Sequence, residues 1–122
     1  MKIVNDSEVE NEKAIPCGKL KQHFIDKDIE IDVNRIEEGK VTKPHYHKKM
    51  TEIYLIVNGN GEMKIKDRKT GNIESKKVQP LSSILIPLNH IHQLTNTGKE
   101  VLVHYVICRP PWREDDEFFG DF

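Results

Sequence analysis

The sequence predicts an all-β protein, a small sandwich or barrel of short strands. Three observations predict it. Short runs of alternating apolar and polar residues recur along the chain, and Gly, Asn and Pro separate them. No segment of useful length carries the 3.6-residue apolar period of a capped helix, with "CGKLKQHF" the one weak candidate.

Each element follows from its residues. "DIEIDVNRI" alternates and predicts a strand over 29–35, with Ile29, Ile31 and Val33 on one face. "EEGK" breaks it. "TEIYLIVNGNGEMKIKD" reads as two strands, 52–57 and 61–66, joined as a hairpin by "NGNG". The first of these is apolar on both faces, which predicts cover on both. In the second, Met63 and Ile65 alternate with charged residues, so one face is buried and one wet. "DRKTGN" is a turn. "SSILIPLNH" is a buried strand over 83–87 that Pro87 ends, and "HQLTNTGKE" runs into a turn. "VLVHYVIC" is the last strand, 101–107, closed by Pro110 and Pro111. Residues 1–15 and the acidic, aromatic tail 112–122 are expected to fray. In the tail, the aromatics are expected to pack on the barrel's outside with the acids solvated; the other reading is a lid or partner-binding segment.

Composition bounds the function. The chain has 122 residues, 36% hydrophobic and 32% charged, which suits one domain over 1–122. A net charge of −1 offers no basic surface for nucleic acid. No apolar run is long enough for a membrane span, and the N-terminus lacks the apolar core of a signal peptide, so a cytoplasmic location is the expectation. Cys17 and Cys108 are too few for a disulfide framework and are read as thiols.

The chemistry concentrates in "GKVTKPHYHKKMTEIYLIVNG". His45 and His47 are two apart, so in a strand they share a face, with Tyr46 turned away. Glu52 follows at once, and Pro44 holds Lys43 extended on the approach. His92, in "IPLNHIHQLTN", completes the set if the fold brings the two segments together. Three imidazoles and one carboxylate with open positions suit one divalent transition metal (iron, manganese, nickel or zinc) in a catalytic site rather than a closed structural one. Calcium and magnesium prefer oxygen shells.

These residues also carry a resemblance. Gly39, His45, His47, Glu52 and Gly59 stand at the spacing of the first cupin motif, and Pro87, His92 and Asn96 in register with the second. The chain therefore resembles a small single-domain cupin over residues 39–96. It departs at Leu81 and Asn89, where the second motif usually has glycine. The resemblance implies a double-stranded β-helix, the cupin jelly-roll barrel, with a metal in its mouth and a homodimer as in many small cupins. The carboxylate sets it apart from the three-histidine thiol dioxygenases of the superfamily.

Two further residues are candidates for catalysis. Tyr54 shares the parity of Glu52, so it points into the barrel and offers its hydroxyl to a substrate or serves as core. His104 becomes an acid or base if the Leu102, His104, Val106, Cys108 face lines the pocket, and is exposed or at a dimer contact if it does not. Arg35 is a candidate for an anionic ligand, and His90 reads as a loop residue. The function expected is a mononuclear metalloenzyme (dioxygenase, decarboxylase, lyase or isomerase) acting on a small oxygen-rich molecule. The alternative is a binding or sensing module for a sugar or small acid.

Overall fold

The computed structural model describes residues 1–122 and is built of strands, with two single 3-10 turns and no α-helix. The eleven strands are β1 (Glu12–Ile15), β2 (Gly18–Ile25), β3 (Glu30–Ile36), β4 (His45–Tyr46), β5 (Thr51–Asn58), β6 (Gly61–Asp67), β7 (Ile73–Val78), β8 (Ser83–Ile86), β9 (His90–Asn96), β10 (Leu102–Arg109) and β11 (Phe118–Phe119). Every pairing is antiparallel. One sheet runs β1-β2-β3-β10-β5-β8 and the other β11-β4-β9-β6-β7. The two face each other as a jelly-roll barrel, the double-stranded β-helix expected.

The core lies between the sheets and fills one end of the barrel. Ile36, Met50, Ile56, Met63, Ile86, Leu94 and Leu102 are buried there. The other end is polar and open. This split explains a face that periodicity assigned only by halves. On β3 the alternation is real, but Glu30, Asp32 and Asn34 face inward, because that end of the interior is a pocket. Arg35 faces the other way and pairs with Asp6. It does not reach the pocket, so the anion-binding role falls.

A helix reading and a turn reading need correction. "CGKLKQHF" is strand β2, whose ladder to β1 and β3 overrides a weak helical pattern. "NGNG" is not a hairpin: β5 pairs with β10 and β8, whereas β6 pairs with β7 and β9. The glycines arch the chain from one sheet to the other. Gly59 sits at φ +83°, and a Cβ there would meet the Val101 carbonyl oxygen at 2.7 Å. The true hairpin is β6–β7 through "DRKTGN". His90 opens strand β9 rather than lying in a loop, and His92 is two residues further along it.

The two departures from the cupin pattern are the two non-glycine residues with positive φ, Leu81 at 74° and Asn89 at 59°. Asn tolerates that conformation; for leucine it costs about 1–2 kcal/mol. The family's glycine positions are conformational, and this chain keeps the conformation without the glycine.

The outer face of β5 is not covered within the chain. Ile53, Leu55 and Val57 remain 37%, 36% and 44% exposed, and Leu85, in register with Ile53, is more so. Both ends of the chain are engaged. Asp6 accepts from Arg35 and pairs with His23 at 2.8 Å, and β1 pairs with β2. The tail is described with the site, because it helps to build it.

Candidate metal centre

Four side chains converge at the open end of the barrel. His45 lies on β4 and His92 directly opposite it on β9, as register partners. His47 leaves β4 on the same face, and Glu52 enters from β5 in the other sheet. Their ligand atoms all lie within 4.8 Å of one another, and all four residues are buried. The structure thus joins the four residues that the sequence singles out.

The orientation of the rings decides what they can do. Each imidazole meets a backbone carbonyl through Nδ1: His45 to Lys43 at 2.9 Å, His47 to Asp116 at 2.7 Å, and His92 to His90 at 3.0 Å. A carbonyl only accepts, so each Nδ1 carries the hydrogen and each neutral ring keeps its Nε2 lone pair. The His47 and His92 Nε2 atoms point at Glu52 Oε1, at 2.9 and 3.1 Å. Lone pairs converging on a carboxylate repel unless a cation lies among them. These same three atoms are buried with no hydrogen-bond partner. A proton or a metal ion resolves the conflict, and the donor set of three nitrogens and one carboxylate suits a transition metal.

The electrostatics agree. Burial works to lower His47, but the Glu52 carboxylate beside it outweighs this and leaves His47 raised above the ordinary histidine value. Burial alone would raise Glu52, yet the facing His47 and His92 rings hold it well below the carboxylate range. Burial pushes His45 down to about 3, with His92 adding to it, so His45 stays neutral and ready to ligate. A cation held here would compete with a proton on His47 rather than on His45.

Tail residue Asp116 fixes the ring of His47. It is buried; its carboxylate accepts the backbone N–H groups of Lys48, Lys49 and Met50 at 2.9–3.2 Å, and its carbonyl accepts from His47 Nδ1. Then β11 pairs with β4, Phe118 opposite Tyr46 and Phe119 opposite His45. The tail is a strap across the ligand strand, not an outside layer with all its acids solvated. The sequence offers no signal that separates Asp116 from Glu114, Asp115 and Glu117.

The centre opens into a cavity of about 880 Å³. Tyr54 lines it. Burial, with Glu52 adding, raises the tyrosine well above its usual value, so its hydroxyl stays a donor. His104 does turn inward with Leu102, Val106 and Cys108, but it does not line the cavity. It lies behind Tyr54, ring centroids 4.4 Å apart, and its Nε2 meets Asn34 Nδ2 at 3.2 Å. Burial lowers it to about 4, so it is neutral. It cannot touch a ligand in the cavity, and the catalytic role read for it loses its geometry. Sequence reasoning missed Glu30 and Asp32, which do line the cavity. Their alternation with Ile29, Ile31 and Val33 was visible, but parity alone does not say which face turns in.

Fold and centre together define a cupin: a two-sheet jelly roll with a His, His, Glu, His cluster at its mouth. More narrowly, residues 21–117 match the polysaccharide biosynthesis C-terminal domain family, and the chain belongs to it. It is 34% identical over 90 residues to auxin-binding protein 1 of Arabidopsis thaliana, covering 70% of this chain and 44% of that protein. The chain thus spans under half the length of that relative. Among solved structures it superposes on the capsular polysaccharide assembling protein CapF of Staphylococcus aureus with a TM-score of 0.83 at 20% identity, over 92% of this chain and 34% of that one. It superposes on KdgF from a Halomonas species with a TM-score of 0.77 at 20% identity, over 94% and 97% of the two chains. These last two likenesses are of fold. No helix is long and apolar enough to cross a membrane.

Proposed function

We propose that this cupin is a mononuclear metalloenzyme acting on a small, oxygen-rich molecule, with His45, His47, Glu52 and His92 as metal ligands. One observation carries it: unpartnered Nε2 and carboxylate atoms converge, tautomers fixed, on the floor of a cavity large enough for a small molecule. A divalent iron, manganese, nickel or zinc ion there would supply a Lewis acid with positions open to substrate. Tyr54 would donate its hydroxyl to a bound oxygen, and the buried walls would exclude water. The carbohydrate connection in the names of the family and of CapF favours a sugar-like substrate.

The second reading is a binding module, favoured by the name of auxin-binding protein 1 and by His104 lying out of reach. The test is a screen of iron(II)- and manganese-loaded protein against sugars, hydroxy acids and diketones, with oxygen uptake recorded. Turnover that His47→Ala abolishes supports the enzyme; saturable binding without turnover supports the module. Failure to retain any of the four metals at neutral pH overturns the ligand assignment.

The apolar outer face of β5 and β8 fits a second copy of the chain, making a homodimer. Sedimentation at micromolar concentration is expected to give a dimer, and Leu55→Lys a monomer. A wild-type monomer defeats this assignment.

A further inference from the structure

The walls of the cavity are unusual in charge. Besides Glu52, it is lined by Glu8, Glu10, Glu30, Asp32, Glu114 and Glu117, and the one lysine or arginine among its lining residues is Lys13. Two of these acids are buried inside the barrel rather than at its rim. Glu30 and Asp32 project from the same face of β3, with Asp32 only 3% exposed. They stand two residues apart on one strand, and both line the cavity. Glu30 Oε1 accepts the Trp112 backbone N–H at 3.2 Å, and Asp32 Oδ1 has no partner.

We propose that Glu30 and Asp32 form the selective wall of this pocket, bonding the hydroxyls of a neutral polyol or sugar and turning away carboxylate analogues of the same shape. The inference rests on the metal-pocket reading and narrows its substrate class. Two buried carboxyls on one wall disfavour each other's ionised form. Burial, with Glu30 beside it, pushes Asp32 up to about 9, so at neutral pH Asp32 keeps its proton. Such a wall donates once and accepts several times, which matches hydroxyl groups. A carboxylate entering the cavity meets a wall of acids in a medium of low dielectric, with no arginine to compensate. An ammonium group would suit two ionised carboxylates better than a pair that keeps its proton.

The test starts from cobalt-loaded protein, whose visible bands report occupancy of the centre. If cobalt does not bind, the metal reading fails, and the sugar titrations are then run on the metal-free pocket. Three matched series are titrated by calorimetry: glucose, glucuronate and glucosamine; galactose, galacturonate and galactosamine; and sorbitol with gluconate. Neutral members are expected to bind about tenfold more tightly than their carboxylate counterparts. The double variant Glu30→Gln/Asp32→Asn removes the charge with little change of shape, and the preference is expected to vanish. Asp32→Asn alone is expected to leave the preference nearly intact, since the Glu30 carboxyl remains on the wall. Cobalt spectra and melting curves confirm that each variant folds and loads. The proposal is overturned if carboxylates bind as well as neutral members, if no neutral member binds at its highest soluble concentration, or if the amine binds best. It is also overturned if the double variant keeps the preference, or if Asp32→Asn abolishes it alone.

Discussion

The barrel buries two histidine sites on either side of Tyr54, an open cluster of three and a closed one of His104 alone, and they differ in kind. His45, His47 and His92 give their Nδ1 hydrogens to backbone carbonyls and turn their lone pairs toward Glu52 and the cavity. His104, as buried as they are, turns its Nε2 to Asn34 behind Tyr54. Tyr54 is the partition between them, 6.0 Å from the His92 ring and 4.4 Å from that of His104. Burial alone therefore does not make a histidine functional. What separates the clusters is where the lone pairs go. In one they converge on another acceptor, which only a cation satisfies; in the other the lone pair meets a single amide donor.

The largest expected effect breaks the open cluster. His47→Ala should reduce divalent-metal affinity beyond the about 100-fold that loss of an outer partner reaches, while the melting temperature of the metal-free protein moves little. Isothermal titration and calorimetric melting check the two halves. The closed cluster should respond in the opposite way. His104→Ala leaves a cavity behind Tyr54 and one of the two Asn34 amide hydrogens without an acceptor, at a cost of about 2–4 kcal/mol in urea unfolding, with metal affinity near wild type. Parallel loss of stability and metal in both variants would erase the distinction drawn here.

Smaller effects sharpen it. Asp116→Ala frees His47 Nδ1 from its fixed carbonyl and unpairs three backbone N–H groups, so metal affinity should fall about 10- to 100-fold. Affinity should also fall with pH in the open cluster. His47 is raised when no metal is bound, so its proton competes below that raised value and is gone above it; His45, lowered to about 3, adds no competition near neutrality. Titrations between pH 5 and 8 should show affinity rising with pH and one proton released per metal. The smallest effect lies away from both clusters. Leu81→Gly relieves the positive φ and should stabilise the protein by under about 1 kcal/mol, the gain being offset by glycine's own chain entropy.

How much of this was legible in the sequence follows the range of each signal. The four ligands were, because His-x-His parity and the motif spacing are local. The inward face of β10 was not, because Val101, Val103, Tyr105 and Ile107 on its other face are as apolar as Leu102, Val106 and Cys108. What escaped depends on contacts distant in sequence. The "NGNG" arch looks like a hairpin until β10 and β9 claim the two strands. The face of β3 that turns inward is chosen by the pocket, not by the alternation. Asp116 gains its meaning only from the N–H groups of residues 48–50.

That strap also has a consequence in time. His47 and the Asp116 carbonyl that fixes its ring are 69 residues apart. At about 5–20 residues per second of synthesis, the strap follows the ligand strand by roughly 3–14 s. During that interval nothing from the tail fixes the ring, so the last of the four side chains to take its final orientation is the one that depends on the end of the chain.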